Sequence, residues 1–301
     1  MKRPALIGAL AIMFAASLWA LDGAVLRPSL YSLDPTIVVL LEHLIAFCFM
    51  LPFFIYESKE LKKLTKKDWG AFFWIAVFGG TIGTLAITKA YFSVFLDGVS
   101  SISVVVLLQK TQPVFAILLA MIILKEHPKR GFFFWAATAL LGSYLVAFGI
   151  GIPDFSADIQ VLYVPMFALI AAFAFGSSTV FGRHVVQKVN FRMATYIRFG
   201  LTSLIMILIV LSFNRGAGFE AVTMKNLITL LIIAFSTGGV AIFIYYFGLK
   251  RVQASKATIY ELMYPIVAIF LDYFVHGHLM AWDQFLGAAL LITAIINVTS
   301  S

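Results

Sequence analysis

Two polar segments interrupt long apolar runs of this sequence, and each ends in a proline. The first is Gln109-Lys110-Thr111-Gln112-Pro113, and the second is Tyr260-Glu261-Leu262-Met263-Tyr264-Pro265. Because proline has no N–H, Pro113 and Pro265 each leave the carbonyl four residues earlier without its helical donor. In hydrocarbon, free carbonyls and ionisable groups are stable only where they face protein or water. The two segments therefore predict kinked helices that line a polar pathway.

The side chains of these segments suggest how such a pathway would handle a solute. The ammonium of Lys110 can bind a carboxylate or a phosphate, or it can pair with Glu42 or Glu261. Gln109 and Gln112 are three residues apart, so they share a helical face and can hydrogen-bond either a polar ligand or a neighbouring helix. Protonation of Glu261 would give a route for coupling proton movement to solute movement.

Two further charges and three aromatic residues are candidates for the same pathway. Glu42 and Arg198 both lie deep in apolar runs, where they would contact substrate or protons, or form a buried structural ion pair. Trp19, Tyr260 and Tyr264 supply aromatic faces on which a flat or amphipathic ligand can stack.

The composition indicates that this chain lies in a lipid bilayer. Of its 301 residues, 62% are hydrophobic and only 12% are charged, which is too apolar for a soluble core to hide. A net charge of +8 would favour nucleic acid in a soluble protein, but the basic residues here lie mostly between apolar runs, so no nucleic-acid partner is predicted. The single cysteine, Cys48, is expected to be free and buried, without a disulfide or a cysteine-based metal site.

Ten apolar runs are long enough to cross a bilayer, which takes about 20 residues each. They are predicted at 5–25, 34–56, 69–92, 99–124, 131–151, 161–183, 192–213, 226–248, 254–275 and 280–299. With a cytoplasmic N-terminus, 16 of the 22 Lys and Arg residues fall in cytoplasmic segments, while Arg27, Arg215 and Lys225 fall outside. This distribution predicts a protein of the inner (cytoplasmic) membrane with both termini in the cytoplasm. Asp22 and Lys89 are expected to reach the membrane interface from helix ends.

The spacing of landmark residues indicates an internal repeat. Trp19 precedes Glu42 by 23 residues, as Phe175 precedes Arg198, and Pro113 and Pro265 are each followed by a matched Phe and Ala-Ala pair. Five spans per unit is an odd number, so the second unit enters the membrane from the opposite side. The prediction is an all-α membrane protein whose ten transmembrane helices form two five-helix inverted-topology repeats. The repeats would be 1–151 and 161–301, with an external linker at 152–160.

The chain resembles the EamA-type proteins of the drug/metabolite transporter superfamily along its whole length. The resemblance rests on the ten short helices, on Leu-Gln-Lys-Thr-Gln-Pro in the fourth helix with Leu124-Lys125-Glu126 after it, and on Glu-Leu-Met-Tyr-Pro in the ninth. It implies a central cavity lined by helices 1, 3, 4, 6, 8 and 9. It also implies secondary active transport by alternating access, usually export of small metabolites or amino acids.

Two other function classes remain open as alternatives. A continuous polar ring would favour a channel or facilitator for small polar solutes, whereas the ionisable residues here are few and mixed in sign. A membrane-embedded enzyme would need a nucleophile with a base or a metal cluster, and neither His-Glu-x-x-His nor Gly-x-Ser-x-Gly occurs. We therefore expect no catalytic residues, metal or cofactor. The expected partners are a small-molecule substrate and the lipid bilayer, with a coupled proton and a second copy in a homodimer as further hypotheses.

Overall fold

The computed structural model describes residues 3–97, 102–151, 163–214, 218–276, 279 and 281–300. Its α-helices in the first half are α1 (Arg3–Leu21), α2 (Pro35–Tyr56), α3 (Lys66–Trp74), α4 (Gly83–Asp97), α5 (Ile102–Gln109), α6 (Gln112–Ile123) and α7 (Arg130–Phe148). Those in the second half are α8 (Tyr163–Val185), α9 (Phe191–Ile209), α10 (Met224–Ile233), α11 (Gly239–Leu249), α12 (Ala254–Tyr260), α13 (Met263–His276) and α14 (Trp282–Ser300). The predicted linker at 152–160 and residues 99–101 of the predicted fourth helix lie outside the described residues.

These helices and the turns that continue them form ten segments long and apolar enough to cross a membrane. Spans 1 to 5 are Arg3–Leu30, Pro35–Tyr56, Lys66–Leu96, Val104–Ile123 and Arg130–Phe148. Spans 6 to 10 are Tyr163–Val185, Phe191–Phe213, Met224–Leu249, Ala254–Leu271 and Trp282–Thr299. The prediction of an all-α membrane protein with ten spans is confirmed.

The third span of each half starts with the same type of cap. In span 3, Thr65 and Asp68 form a capping box, in which each side chain accepts a hydrogen bond from the other residue's backbone N–H. In span 8, Thr223 and Asn226 form the same box. Such boxes satisfy N–H groups that a helix start otherwise leaves unpaired. Since each half has five spans, the two boxes lie on opposite sides of the membrane.

Spans 4 and 9 are interrupted at corresponding places. Helix α5 ends at Gln109 and α6 begins at Gln112, while α12 ends at Tyr260 and α13 begins at Met263. Within each break, a backbone N–H bonds the carbonyl three residues back instead of four. Both interruptions therefore turn the polar side chains of these spans inward at about mid-span.

The packing of the spans follows the pseudo-twofold relation between the halves. Span 1 packs against spans 8 and 9, and span 6 packs in the corresponding way against spans 3 and 4. Spans 2 and 7 contact each other, as do spans 5 and 10. The main contacts between spans therefore join the two halves, and the two five-span repeats form one bundle.

Close approach in this bundle depends on glycine at particular points. Gly79 and Gly80 lie in a π-helical stretch of span 3, Ile75–Ile82. A Cβ atom at Gly79 would overlap the side chain of Ser178 in span 6, and one at Gly80 would overlap Thr202 in span 7. Only glycine leaves room for this contact between the repeats.

Three expectations about residue placement are wrong. Span 1 continues past residue 25 to Leu30 through a π-helical and a 3-10 turn. As a result, Asp22 is only 8% exposed instead of lying at the interface, and Arg27 is 7% exposed instead of lying outside. Cys48 is exposed on the outer surface of span 2. An apolar run in a membrane protein has a lipid-facing side as well as a core side, so an apolar context alone does not indicate burial.

The crossing of spans 5 and 10 gives a testable prediction. A Cβ atom at Gly142 would lie 2.8 Å from both the carbonyl oxygen of Gly287 and the backbone nitrogen of Leu291. We expect Gly142→Ala to force these spans apart and to lower the stability of the detergent-solubilised protein by about 1–3 kcal/mol. The measurement is thermal unfolding followed by circular dichroism.

The control lies in the same helix. A Cβ atom at Gly131 would have no neighbour within 4 Å, so Gly131→Ala should leave the unfolding temperature unchanged or slightly raised. Equal unfolding temperatures for the two variants would contradict the proposed tight crossing.

Candidate functional site

A cavity of about 160 Å³ lies between the two halves. Eight of the ten spans line it, whereas spans 5 and 10 contribute no residue among those described. The resemblance implied spans 1, 3, 4, 6, 8 and 9. Spans 2 and 7 also line the cavity, through Glu42 and His43 on span 2 and Arg198 and Phe199 on span 7. The cavity is therefore enclosed by both repeats.

Corresponding positions of the two repeats face each other across this cavity. Trp19 and Phe175 both line it, as do Glu42 and Arg198, the residues that follow them by 23 positions. The same holds for the residues that precede Pro113 and Pro265 by equal distances, namely Gln109 with Glu261 and Gln112 with Tyr264. The cavity thus lies on the pseudo-twofold axis, but its two sides differ in chemistry.

A buried ion network closes one part of the cavity wall. The guanidinium of Arg27 donates from Nε to Asp22 Oδ2 at 2.7 Å and from Nη2 to Glu42 Oε2 at 2.9 Å. Its Nη1 donates to Thr88 Oγ1 at 2.7 Å. Thr237 of span 8 donates to the other oxygen of Asp22 at 3.2 Å, which ties the second repeat to this network. Glu42 therefore pairs with Arg27 and not with Lys110.

A second polar group surrounds Glu261 at the break in span 9. One carboxylate oxygen accepts hydrogen bonds from the Tyr245 hydroxyl at 2.7 Å and from Thr179 at 3.4 Å. The other accepts from Gln112 Nε2 at 2.6 Å, and Gln112 Oε1 in turn accepts from Gln109 Nε2 at 3.0 Å. Glu261 is 5% exposed, and three neutral donors stabilise it.

Lys110 contributes a cationic group without a counter-ion at bonding distance. Its Nζ lies 3.9 Å from the centre of the Tyr264 ring, in cation–π contact. Within the described part of the chain, no carboxylate oxygen lies within 4.0 Å of Nζ and no acceptor is hydrogen-bonded to it. Lys110 is 6% exposed, so its three N–H donors are directed into protein and cavity and not into bulk water.

Among the described residues, Arg198 is hydrogen-bonded to neutral oxygens and pairs with no carboxylate. Its Nη2 donates to the Gly79 carbonyl at 3.2 Å, and its Nη1 lies 3.4 Å from the Tyr246 hydroxyl and 3.5 Å from Ser178 Oγ. Its Nε is buried without a partner among the described residues. A buried guanidinium with long contacts and a free donor has spare capacity for an acceptor group.

Aromatic rings form much of the remaining wall. The Trp19 and Tyr245 rings lie 5.2 Å apart and are tilted by 52°. The hydroxyls of Tyr91 and Tyr264, from opposite repeats, are 2.8 Å apart. Together with Phe175 and Phe199, these rings give the cavity several faces on which a flat ligand can stack.

The structure brings together most of the residues that the sequence suggested. Those that line the cavity are Trp19, Glu42, Gln109, Lys110, Gln112, Arg198, Glu261 and Tyr264. Tyr260 does not: it is 1% exposed and lies in the hydrophobic core. The break between residues 260 and 263 changes the helix face, so Tyr260 and Tyr264 do not point the same way.

Sequence reasoning missed several polar members of the site. Among them are Asp22, Arg27, Thr179 and Thr237. One available signal was the position of Asp22, three residues after Trp19 and therefore on the same helical face. Among the described residues, no group of three or more His, Cys, Asp or Glu side chains is placed to hold a metal ion.

Two inverted five-span repeats around a polar, aromatic cavity are the architecture of a membrane transporter. The chain belongs to the EamA-like transporter family, which it matches over residues 6–148 and again over residues 162–300. The predicted resemblance is therefore confirmed, and the two matches coincide with the two halves of the bundle.

One relative and one solved structure extend this comparison. The chain is 43% identical over 294 residues to a protein named riboflavin transporter ImpX from Fusobacterium nucleatum subsp. nucleatum, with 97% of each chain covered. A solved crystal structure with 15% sequence identity shares the fold with a TM-score of 0.73, covering 98% of this chain and 96% of the other.

The Arg27 network gives a prediction about stability. Replacing Arg27 with Met removes the partner of two buried carboxylates, Asp22 and Glu42, and should destabilise the protein by about 3–5 kcal/mol. Adding Asp22→Asn and Glu42→Gln to the same chain removes the uncompensated charges and should recover part of the loss. Unfolding in detergent measures both effects.

The matched control is Arg130, which is exposed at the start of span 5. Arg130→Met should leave the unfolding midpoint within the error of the wild type. If Arg27→Met behaved like Arg130→Met, the ion network would not be the structural tie that its distances indicate.

Proposed function

We propose that this chain is a secondary active transporter that carries riboflavin, or a closely related flavin, by alternating access. The observation that carries the proposal is the cavity between the two inverted repeats, which combines aromatic faces with unpaired hydrogen-bonding groups. The name of the relative at 43% identity supplies the substrate class.

The chemistry of a flavin fits this lining. Its ring system is flat and aromatic, and it matches the stacking faces of Trp19, Tyr245 and Tyr264. The carbonyl groups and the hydroxylated side chain of a flavin need hydrogen-bond donors. Lys110 and Arg198 both have N–H groups that no described residue accepts. Of the substrate classes that the resemblance implies, a flat metabolite fits the lining better than an amino acid.

Alternating access is supported by the way in which the cavity is built. The cavity lining includes residues from both repeats, so rocking one repeat against the other would open it first to one side and then to the other. Such a cycle runs in either direction, and the gradients of substrate and coupled ion set the net flux. The carboxyl groups of Glu42 and Glu261 are the candidates for carrying a coupled proton.

In this proposal the protein lies in the cytoplasmic membrane with both termini in the cytoplasm. The arrangement is supported by the 16 of 22 basic residues that then fall on the cytoplasmic side. It assigns no catalytic step to the chain, in keeping with a family and a relative that are both named as transporters.

Counterflow in liposomes tests the transport mechanism. Vesicles that contain the purified protein and unlabelled riboflavin should transiently concentrate labelled riboflavin from outside, because a carrier exchanges one bound molecule for another. Empty liposomes give the background. Simple equilibration without a transient maximum would favour a channel or facilitator, and conversion of riboflavin to a product would favour an enzyme.

Substitution of Lys110 tests the site. Lys110→Met keeps the length and apolar stem of the side chain but removes its charge, and we expect riboflavin uptake to fall by at least about 10- to 100-fold, the loss typical of a charge-assisted hydrogen bond. Membrane insertion should be unchanged, since Lys110 pairs with no described carboxylate. Lys89→Met is the control, because Lys89 is an exposed lysine on span 3. Normal uptake kinetics in Lys110→Met would overturn the site assignment.

A further inference from the structure

The hydrogen bonds between spans 4 and 9 form a chain with a definite order. We call Gln109, Gln112 and Glu261 the amide relay, because Gln109 Nε2 donates to Gln112 Oε1 and Gln112 Nε2 donates to Glu261 Oε2. The distances are 3.0 and 2.6 Å, and all three side chains are at most 7% exposed. The relay therefore connects the two broken helices directly.

The carboxylate fixes the direction of this relay. An ionised carboxylate accepts hydrogen bonds and donates none, so the group of Gln112 that faces Glu261 is its amide NH₂. The carbonyl of Gln112 then faces Gln109, which must present its own NH₂ to it. Tyr245 and Thr179 donate to the other oxygen of Glu261. No described donor therefore competes with Gln112 for Oε2.

Two neighbouring groups are left unused at the end of the relay. The amide NH₂ of Gln109 makes its bond to Gln112, and no described residue donates to Gln109 Oε1. No described residue accepts a hydrogen bond from Lys110 Nζ, which lies over the ring face of Tyr264. Both residues line the cavity. The site thus offers one hydrogen-bond acceptor and one cationic donor from consecutive residues at the break in span 4.

A cavity lined by a free acceptor and a cationic donor can bind a ligand group that presents N–H next to C=O. The pyrimidine ring of a flavin has such an imide edge, in which the N3 hydrogen is flanked by two carbonyl oxygens. A buried polar site of this kind strongly disfavours a ligand that lacks the matching hydrogen, because the acceptor is then left unpaired.

We propose that Gln109 and Lys110 read the imide edge of the flavin, Gln109 Oε1 accepting from N3–H and Lys110 donating to an adjacent carbonyl oxygen. Glu261 is a positioning residue that sets the orientation of both glutamine amides. This inference rests on the proposed function and adds to it the substrate edge that the cavity recognises.

The experiment compares two ligands on the purified full-length protein. Riboflavin and 3-methylriboflavin differ only at N3, and quenching of flavin fluorescence by the aromatic lining reports the binding of each. For the wild type we expect riboflavin to bind about 10- to 100-fold more tightly, the loss expected when a buried acceptor has no donor.

Substitutions separate hydrogen bonding from steric fit. Gln109→Leu has about the same size and no acceptor, so the ratio between the two ligands should fall to near one. Lys110→Met should weaken both ligands alike and keep the ratio, because both retain the carbonyl groups. Glu261→Gln should give an intermediate ratio, since the relay can then adopt either direction. Gln187→Ala, a glutamine outside the cavity that bonds the Lys250 carbonyl, should match the wild type.

The outcomes distinguish this inference from the proposed function. Equal binding of the two ligands by the wild type, or an unchanged ratio in Gln109→Leu, would overturn the assignment of the imide edge while riboflavin transport stands. A Glu261→Gln variant that weakens both ligands alike would overturn the positioning role of Glu261. If the wild type neither binds nor transports riboflavin, the proposed function fails, and the inference fails with it.

Discussion

The burial of charge inside a lipid-facing bundle is the constraint on which the rest of this structure depends. A charged side chain at membrane depth is stable only with partners or in a hydrated cavity. Arg27 meets this requirement with two carboxylates and a hydroxyl, and Glu261 meets it with three neutral donors. The outer surface of the bundle is rich in large apolar side chains. The charged groups therefore lie at the interface between the two repeats.

The inverted repeat sets the geometry of this interface, while the differences in sequence between the two repeats set its chemistry. Equivalent positions hold Glu42 and Arg198, or Gln109 and Glu261, on facing sides of one cavity. A strictly symmetric cavity would present the same groups twice. Because the second repeat holds a carboxylate, Glu261, where the first holds Gln109, the hydrogen bonds between spans 4 and 9 have a direction.

Much of this arrangement could be predicted from the sequence, because the signals were local. Apolar run length gave the ten spans, and the prolines marked both breaks to within a few residues. The two residue pairs spaced 23 apart, Trp19 with Glu42 and Phe175 with Arg198, all line the cavity. These signals depend only on helical periodicity and on the cost of placing polar groups in lipid.

The partners of the charges could not be predicted in the same way. Arg27 lies beyond the predicted end of span 1, and its burial depends on carboxylates five and fifteen residues away together with Thr88 in another span. Tyr260 and Tyr264 share a helical face only if the helix is regular, which the break between them prevents. Both errors concern tertiary contacts, which the local pattern does not contain.

The balance of charge in the cavity bears on how membrane voltage acts on this transporter. Its wall holds three carboxylates, at Asp22, Glu42 and Glu261, and three fixed cations, at Arg27, Lys110 and Arg198. These charges cancel when all six groups are ionised and His43 is neutral, and the riboflavin of the proposed function carries no net charge. The empty and the loaded carrier would then feel the electric field equally, so the potential would drive net movement only through a co-transported ion.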